Sequence, residues 1–338
     1  MPEGTAINGQ NEVIVQSANY SYSHWIVGID NGNFSGASFK SYDQGATWSS
    51  ERMGYDYSLR GEYVIRWFVE SNEIQSDEPV RWALQSLDHP DLKVFKVMEN
   101  LDGITKGTDS DFEKAQRLCS WAAKQWVHTG GLIYPPFHLP TILDWKRKGR
   151  GHGFSDIRGF CVHFANLLMQ ACWASGMYAR GVALPSYTDT GPEGHFVSEV
   201  YCRDLGKWVM FDPDFDTQVF DGGQPLNVGE IHRCWKNGTI DRLTMHQGPS
   251  FGTNPLGLDV LINHFKKGGY RHFAIYRMQD YLSRPDHQMV NHGAIDALAY
   301  HEPDMVWYDD TLELRKHFPH VSDDLELFYF DPTGEVRR

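Results

Sequence analysis

Apolar and polar positions along this chain change period three times. Residues 158–176 read RGFCVHFANLLMQACWASG. Phe164, Leu167, Leu168 and Ala171 recur at helical spacing, and Ala165 and Cys172 widen the stripe. Gly176 stands where a helix end wants a left-handed residue, so a helix is predicted to open at Cys161. Upstream, DLKVFKVMENL is amphipathic. The run SDFEKAQRLCSWAAKQWVH begins with Ser110 and Glu113 in capping-box spacing and continues with Leu118, Trp121, Ala122 and Gln125 on one face. Downstream, MYARGVAL, HFVSEVYC and KWVMFD alternate as strands do, with His195, Val197, Glu199 and Tyr201 sharing one parity. Residues 1 to about 75 carry shorter β-type runs, HWIVGID, GASFKSY and EYVIRWFVE. The segment after 217 is less regular. NPLGLDVLINHFKKGG predicts a helix, and RHFAIYRM and LELFYFD predict strands.

This succession predicts an α+β protein in three parts. Residues 1–75 form a β-sandwich-like domain, 76–220 a helix-then-strand core, and 221–338 a C-terminal extension of mixed α/β structure. Between two N-terminal runs lies SYDQGATW, Ser41 to Trp48, which resembles the Asp-box pattern S-x-D-x-G-x-T-W. Such a box is a hairpin turn. Asp43 can accept turn amides, Gly45 supplies the special backbone angle and Trp48 anchors the hairpin. Asp-boxes occur in sialidase-like propellers and in other glycan-related β proteins. A propeller needs blades at a fixed period, and the sequence holds a single box.

Bulk properties narrow the chemistry. The 338 residues carry 31 basic and 44 acidic side chains, a net charge of −13, which disfavours nucleic acid or an anionic membrane as the main partner. DWKRKGRGHG is the one short basic run. No apolar run reaches membrane-spanning length, and the polar MPEGTAINGQ is neither signal peptide nor anchor. The expected location is cytoplasmic, or secreted with the signal removed. The sequons at Asn19, Asn33 and Asn237 bear on glycosylation only in the second case. Five cysteines without CxxC pairs suggest neither a disulfide framework nor a zinc ribbon, and Cys119 and Cys172 read as core. His264, His272, His287, His292 and His301 form no tight ligand spacing, and phosphate-binding glycine loops are absent, so no metal and no cofactor is expected.

Cys161 opens a predicted helix, where backbone N–H groups and the helix dipole favour thiolate. His195 follows 34 residues later at the start of a strand, in GHFVSEVYC. Asp212 follows 17 residues after that, before Pro213, in KWVMFDPDFD. This order resembles the transglutaminase-like superfamily. There a cysteine opens a helix, a histidine starts a strand reading roughly H-x-x-x-E-V, and an aspartate follows a Trp-containing strand. KAQRLCSWAAKQWV resembles the family's leading helix, and the resemblance covers about residues 90–220. It implies a papain-like core with Cys161, His195 and Asp212 as catalytic triad. His195 would act as the base and Asp212 would orient it. It also implies an oxyanion site using the Cys161 N–H and a second, upstream donor. Trp145 and Tyr134 are candidates for that donor. With His163 and Glu199 they complete the expected substrate-binding residues, although Glu199 could instead pair within the structure.

Three function classes follow. The leading expectation is a cysteine hydrolase that cleaves an amide through an acyl-enzyme, as in bacterial members with this sparse motif set. Its partner is a peptide or glycan-linked substrate. No calcium motif supports a cross-linking transferase. The alternative is a glycan-active enzyme on the same scaffold, peptide-N-glycanase-like or polysaccharide-degrading. Direct glycan cleavage would require a carboxylate pair among Glu199, Asp212, Asp214 and Asp216. A binding protein with a dead site is the third. Reaction of a thiol probe at one cysteine separates it from the others.

Overall fold

The computed structural model describes residues 28–30, 62–64, 82–128, 158–188, 191–250, 272–277, 279–280, 282–283, 297–300, 320–322 and 324–334. In the N-terminal region β1 (Gly28–Asp30) and β2 (Glu62–Val64) pair antiparallel, inside two of the runs expected to be strands. The Asp-box and GASFKSY lie outside the described residues, as does the helix expected at 254–269. The described residues before 76 are those two strands alone.

The helical layer follows. In α1 (Pro90–Met98), Pro90 presets the first turn, and the His89 ring accepts the Asp91 N–H. Asn100, left-handed at φ 53°, separates α1 from α2 (Leu101–Thr105). α3 (Asp111–Ala122) starts as predicted, with Ser110 Oγ accepting the Glu113 N–H at 3.2 Å. β3 (Val127–His128) and β4 (Arg158–Gly159) form a short parallel pair that delivers the chain to α4 (Cys161–Ala174). Every α4 residue from Val162 to Trp173 is buried. A helix buried on every side belongs in the centre of a core, and α1, α3 and a central strand pack on this one. Gly176 ends it at φ 81°, as the pattern predicts.

The strands β5 (Ala179–Thr188), β6 (Gly191–Cys202) and β7 (Lys207–Phe211) form the predicted antiparallel run. After them come β8 (Thr217–Asp221), β9 (Gln224–Pro225), α5 (Val228–Lys236), β10 (Thr244–Gln247), β11 (Phe273–Tyr276), β12 (Ala297–Tyr300) and β13 (His320–Ser322). β11, β12 and β13 join the central sheet in the order β13-β12-β11-β5-β6-β7, parallel only between β12 and β13. β11, inside the run RHFAIYRM expected to be a strand, thus pairs with β5 and extends the core sheet. β8, β9 and β10 make a second, three-stranded sheet.

Alternation along β6 supplies both faces of the main sheet. Phe196, Val200 and Cys202 join the α4 cluster with Phe164 and Leu168. Val197 joins Val182, Met210, Ile231, Phe273 and Phe328 in the cluster on the other side. Each such buried side chain contributes roughly 1.5–3 kcal/mol relative to exposure. Phe328 belongs to LELFYFD, and here expectation and structure differ. Leu325–Leu327 is a 3-10 turn, not a strand. The segment is held by aromatic burial and by side chains that bond its carbonyls, Arg180 to Phe328 and Trp208 to Phe330, so no ladder is needed.

Candidate active site

Cys161 is the first residue of α4, after an extended Phe160 at φ −131°, ψ 178°. Phe160 has no side-chain acceptor for the helix amides. The ring of His163 reaches back instead, and its Nδ1 accepts the Phe160 N–H at 3.3 Å. The first amides of α4 have no intrahelical acceptor, so the thiol sits at the positive helix end. Cys161 is half-buried, whereas Cys119, Cys172, Cys202 and Cys234 are buried. Burial pushes the thiols of Cys119, Cys172 and Cys202 upward, which keeps them protonated.

The His195 side chain, 10% exposed, places Nε2 2.7 Å from Asp212 Oδ2, and the Cys161 thiol is near enough to act on the ring's charge. Since Nε2 is engaged with the carboxylate, Nδ1 is the ring nitrogen left for sulfur. Burial alone would depress the imidazole pKa. The charge and hydrogen bond of Asp212 outweigh it, with help from Cys161, and hold His195 well above its ordinary value. Phe215 stands edge-on to the ring at 5.8 Å.

Asp212 is fixed by its own turn. It exchanges backbone hydrogen bonds of 3.0 Å with Thr217. Its Oδ1 accepts the Asp214 N–H at 3.1 Å and the Phe215 N–H at 3.4 Å, an Asx-type turn that leaves Oδ2 to the histidine. Asp216, left-handed at φ 52°, closes the loop. Its carboxylate accepts from Ser120 Oγ at 3.0 Å and from the Ser250 N–H at 2.8 Å.

The same turn carries a second imidazole–carboxylate pair. His128 Nδ1 lies 2.7 Å from Asp214 Oδ1, with side chains 10% and 1% exposed. In the β3–β4 pair His128 stands opposite Gly159, two residues before Cys161. A Cβ at Gly159 would lie 3.2 Å from Trp126 and His163, so this approach suits glycine. Sequence reasoning missed His128. Its only signal was a polar residue at the end of the α3 run, and its partner is 86 residues away.

The structure pairs His195 with Asp212, with Cys161 near enough to act on the imidazole, and corrects two other expectations. His163 is fully buried as a helix cap beside Phe160 and Trp126, and burial lowers its pKa to about 3. It offers substrate no exposed surface. Glu199 is also fully buried. Its Oε2 accepts from Arg180 Nε at 2.9 Å and Nη2 at 2.6 Å, and its Oε1 from the Val228 N–H at 2.8 Å and the Tyr329 hydroxyl at 3.2 Å. Four donors occupy the carboxylate, so the pairing role holds and substrate contact does not. Trp145 and Tyr134 lie outside the described residues.

Among the described residues no group of three His, Cys, Asp or Glu side chains could hold a metal ion, and no helix is long and apolar enough to cross a membrane.

No curated protein matches the chain. One similar solved structure is a "putative cysteine protease" from Cytophaga hutchinsonii, 18% identical over 40% of this chain and 46% of that one, with a TM-score of 0.27. Another is a "putative protease" from Parabacteroides distasonis, 13% identical over 49% of this chain and 28% of that one, with a TM-score of 0.26. The alignment thus spans less than half the length of either. The family model of the transglutaminase-like superfamily matches residues 100–213. That span runs from Asn100, ahead of α2, past Asp212, and this part of the chain is a transglutaminase-like domain.

Proposed function

We propose that the protein is a cysteine-dependent hydrolase that cleaves an amide bond, as a protease or amidase, through an acyl-enzyme on Cys161. The observation that supports this reading is a Cys161 thiol at a helix N-terminus beside a His195 imidazole that pairs with the Asp212 carboxylate at 2.7 Å. His195 takes the thiol proton, and Asp212 stabilises the imidazolium that results. The thiolate attacks the substrate carbonyl carbon. A C–S bond forms and the π pair moves to oxygen. When the intermediate collapses, the C=O re-forms, the C–N bond breaks and the amine leaves with the proton from His195. Water, activated by the same imidazole, then cleaves the thioester and regenerates the thiol.

Direct glycan cleavage is less well supported, because each carboxylate it would use is engaged. Asp212 binds His195, Asp214 binds His128, Asp216 binds Ser120 and Ser250, and Glu199 binds Arg180. A sugar–asparagine amide would fall under the thiol chemistry above.

The test combines iodoacetamide labelling read by intact mass, the release burst from p-nitrophenyl acetate, and hydrolysis of casein. The expected result is a single label at Cys161, a burst stoichiometric with protein, and loss of both in Cys161→Ala. A full burst and full turnover in Cys161→Ala would reject the reading.

A further inference from the structure

The helix start supplies backbone N–H groups to an oxyanion formed at Cys161, but a second donor has yet to be placed. The second imidazole–carboxylate pair is well positioned for that role. Strand pairing fixes His128 against Gly159, just ahead of the thiol. The carboxylate that holds His128 belongs to the same Asp-Pro-Asp turn that holds His195, and Asp214 interacts electrostatically with both His195 and Asp212. One turn therefore holds both imidazoles. Nδ1 of His128 is committed to Asp214, and the side chain is 10% exposed.

We infer that His128 is a further catalytic residue, donating its Nε2–H to the oxygen that becomes negative when Cys161 attacks a carbonyl. The inference rests on the thiol chemistry proposed above.

Tautomer accounting favours a donor. Burial pushes the Asp214 carboxyl above the ordinary range, against the opposing effects of His128 and His195, and the Asp212 carboxylate adds to the rise. A carboxyl so raised can share a proton with the Nδ1 it faces at 2.7 Å. Such a pair can hold its inner proton on the carboxyl or on Nδ1. In both cases Nε2 carries a hydrogen and can donate. No proton is transferred in this step. The C–S bond forms, the π pair moves to oxygen, and the hydrogen bond from Nε2–H strengthens as charge develops there. It weakens again when the C=O re-forms and the amine leaves with the proton from His195.

Two reactions of the same thiol isolate this role. Attack on p-nitrophenyl acetate passes through an oxyanion, whereas displacement of iodide from iodoacetamide does not. In His128→Ala the acylation rate constant should fall on the order of 10²- to 10³-fold. The saturation constant for the ester and the rate of Cys161 alkylation should each stay within about threefold of wild type. His128→Gln, which keeps an amide N–H, should acylate faster than His128→Ala and slower than wild type. If the alanine variant does not fold, the glutamine variant still reads the split between acylation and alkylation. Acylation unchanged in a folded variant would overturn the inference, and so would a parallel loss of acylation and alkylation. A wild type that shows neither a burst nor alkylation at Cys161 would instead overturn the thiol chemistry itself.

Discussion

Strand β6 carries two carboxylate–cation pairs, built from side chains four residues apart, and they are put to opposite uses. At His195 the partner is Asp212, at 2.7 Å, and the imidazole retains one more neighbour, the Cys161 thiol. At Glu199 the partner is Arg180, fully buried, with Nε and Nη2 on one carboxylate oxygen. Arg180 also stacks 4.0 Å from the centre of the Trp208 ring and donates to the Phe328 carbonyl. The first pair uses a cation that can lose its proton, stays 10% exposed and borders a half-buried thiol. The second uses a cation that stays charged at any accessible pH and excludes solvent entirely. On the proposed reading, a buried ion pair becomes chemistry where its cation titrates and an edge stays open. Sealed and saturated, the same kind of pair is a clamp.

Cys161→Ala should separate the two most sharply. It leaves both ion pairs in place and removes the one group the first pair acts on. Casein turnover should fall by at least about 10⁴-fold, because triad members act as a unit. The melting temperature should stay within a few degrees, since a half-buried residue at a helix start gives up little packing. A large loss of stability with retained turnover would erase the distinction between the pairs.

Arg180→Met should give the converse result. Removing the guanidinium strands Glu199 without its charge partner and opens the stack on Trp208, at a cost of about 3–5 kcal/mol in unfolding free energy. Iodoacetamide labelling of Cys161 in the folded variant should proceed near the wild-type rate. Urea denaturation and the labelling rate check the two halves. A stable variant with an unreactive thiol would mean that the clamp belongs to the site after all.

Asp212→Asn tests why the first pair can switch. In wild type the folded pKa of His195 is raised above its unfolded value, burial opposing the shift and Asp212 imposing it. Such a group contributes stability that is fully present below the unfolded value, about 6.5, and is lost as pH rises through the folded value. The gap in melting temperature between wild type and Asp212→Asn should therefore be widest near pH 6 and narrow as pH climbs past the raised pKa. Turnover should fall roughly 10²- to 10⁴-fold, because the ring loses its orientation and charge support while its geometry survives. A gap independent of pH would show that Asp212 does not hold the imidazolium.

The same contrast explains what the sequence made legible. Cys161, His195 and Asp212 each sit at an element boundary that local patterning predicts: a helix start, the early part of a strand, and the turn after a Trp-bearing strand. α3, α4 and β5–β7 follow from periodicity, because their apolar positions recur at helix or strand spacing and fill the two cores on either side of the sheet. His128 and Arg180 were not legible, since each takes its role from a residue remote in sequence. Asp214 is 86 residues from His128, and Phe328 is 148 residues from Arg180. Glu199 was visible as a polar residue of the His195 parity, but parity does not report that four donors would fill it. α5 could have been read. Asn227 and Glu230 form a complete capping box, with 2.8 and 2.9 Å bonds, and the signal was present in Asn-x-x-Glu. LELFYFD misled because apolar residues that anchor an irregular segment resemble those of a strand.

Tyr329→Phe makes the smallest change and asks how far the clamp extends. The Tyr329 hydroxyl accepts the Gly229 N–H at 2.6 Å and donates to Glu199 Oε1 at 3.2 Å. It links the C-terminal segment, the start of α5 and the β6 carboxylate in one chain of hydrogen bonds. The tyrosine ring lies so close to Gly229 that a Cβ there would come within 2.6 Å of it, so the helix start and the ring were fitted to each other. Burial first, and then the charge of Glu199, push the phenol well above its ordinary pKa, so the hydroxyl keeps its proton and remains the donor. Removing one oxygen leaves the ring packed. The Gly229 N–H loses its acceptor, and Glu199 keeps Arg180 and the Val228 N–H. The expected cost is about 1–3 kcal/mol, the penalty for one polar group left unsatisfied near the core. Hydrogen exchange at the Gly229 amide should accelerate, while Cys161 alkylation stays at the wild-type rate. Unchanged exchange at Gly229 would show that the clamp ends at Arg180 and Glu199 and that the C-terminal segment is held by Phe328 and Phe330 alone.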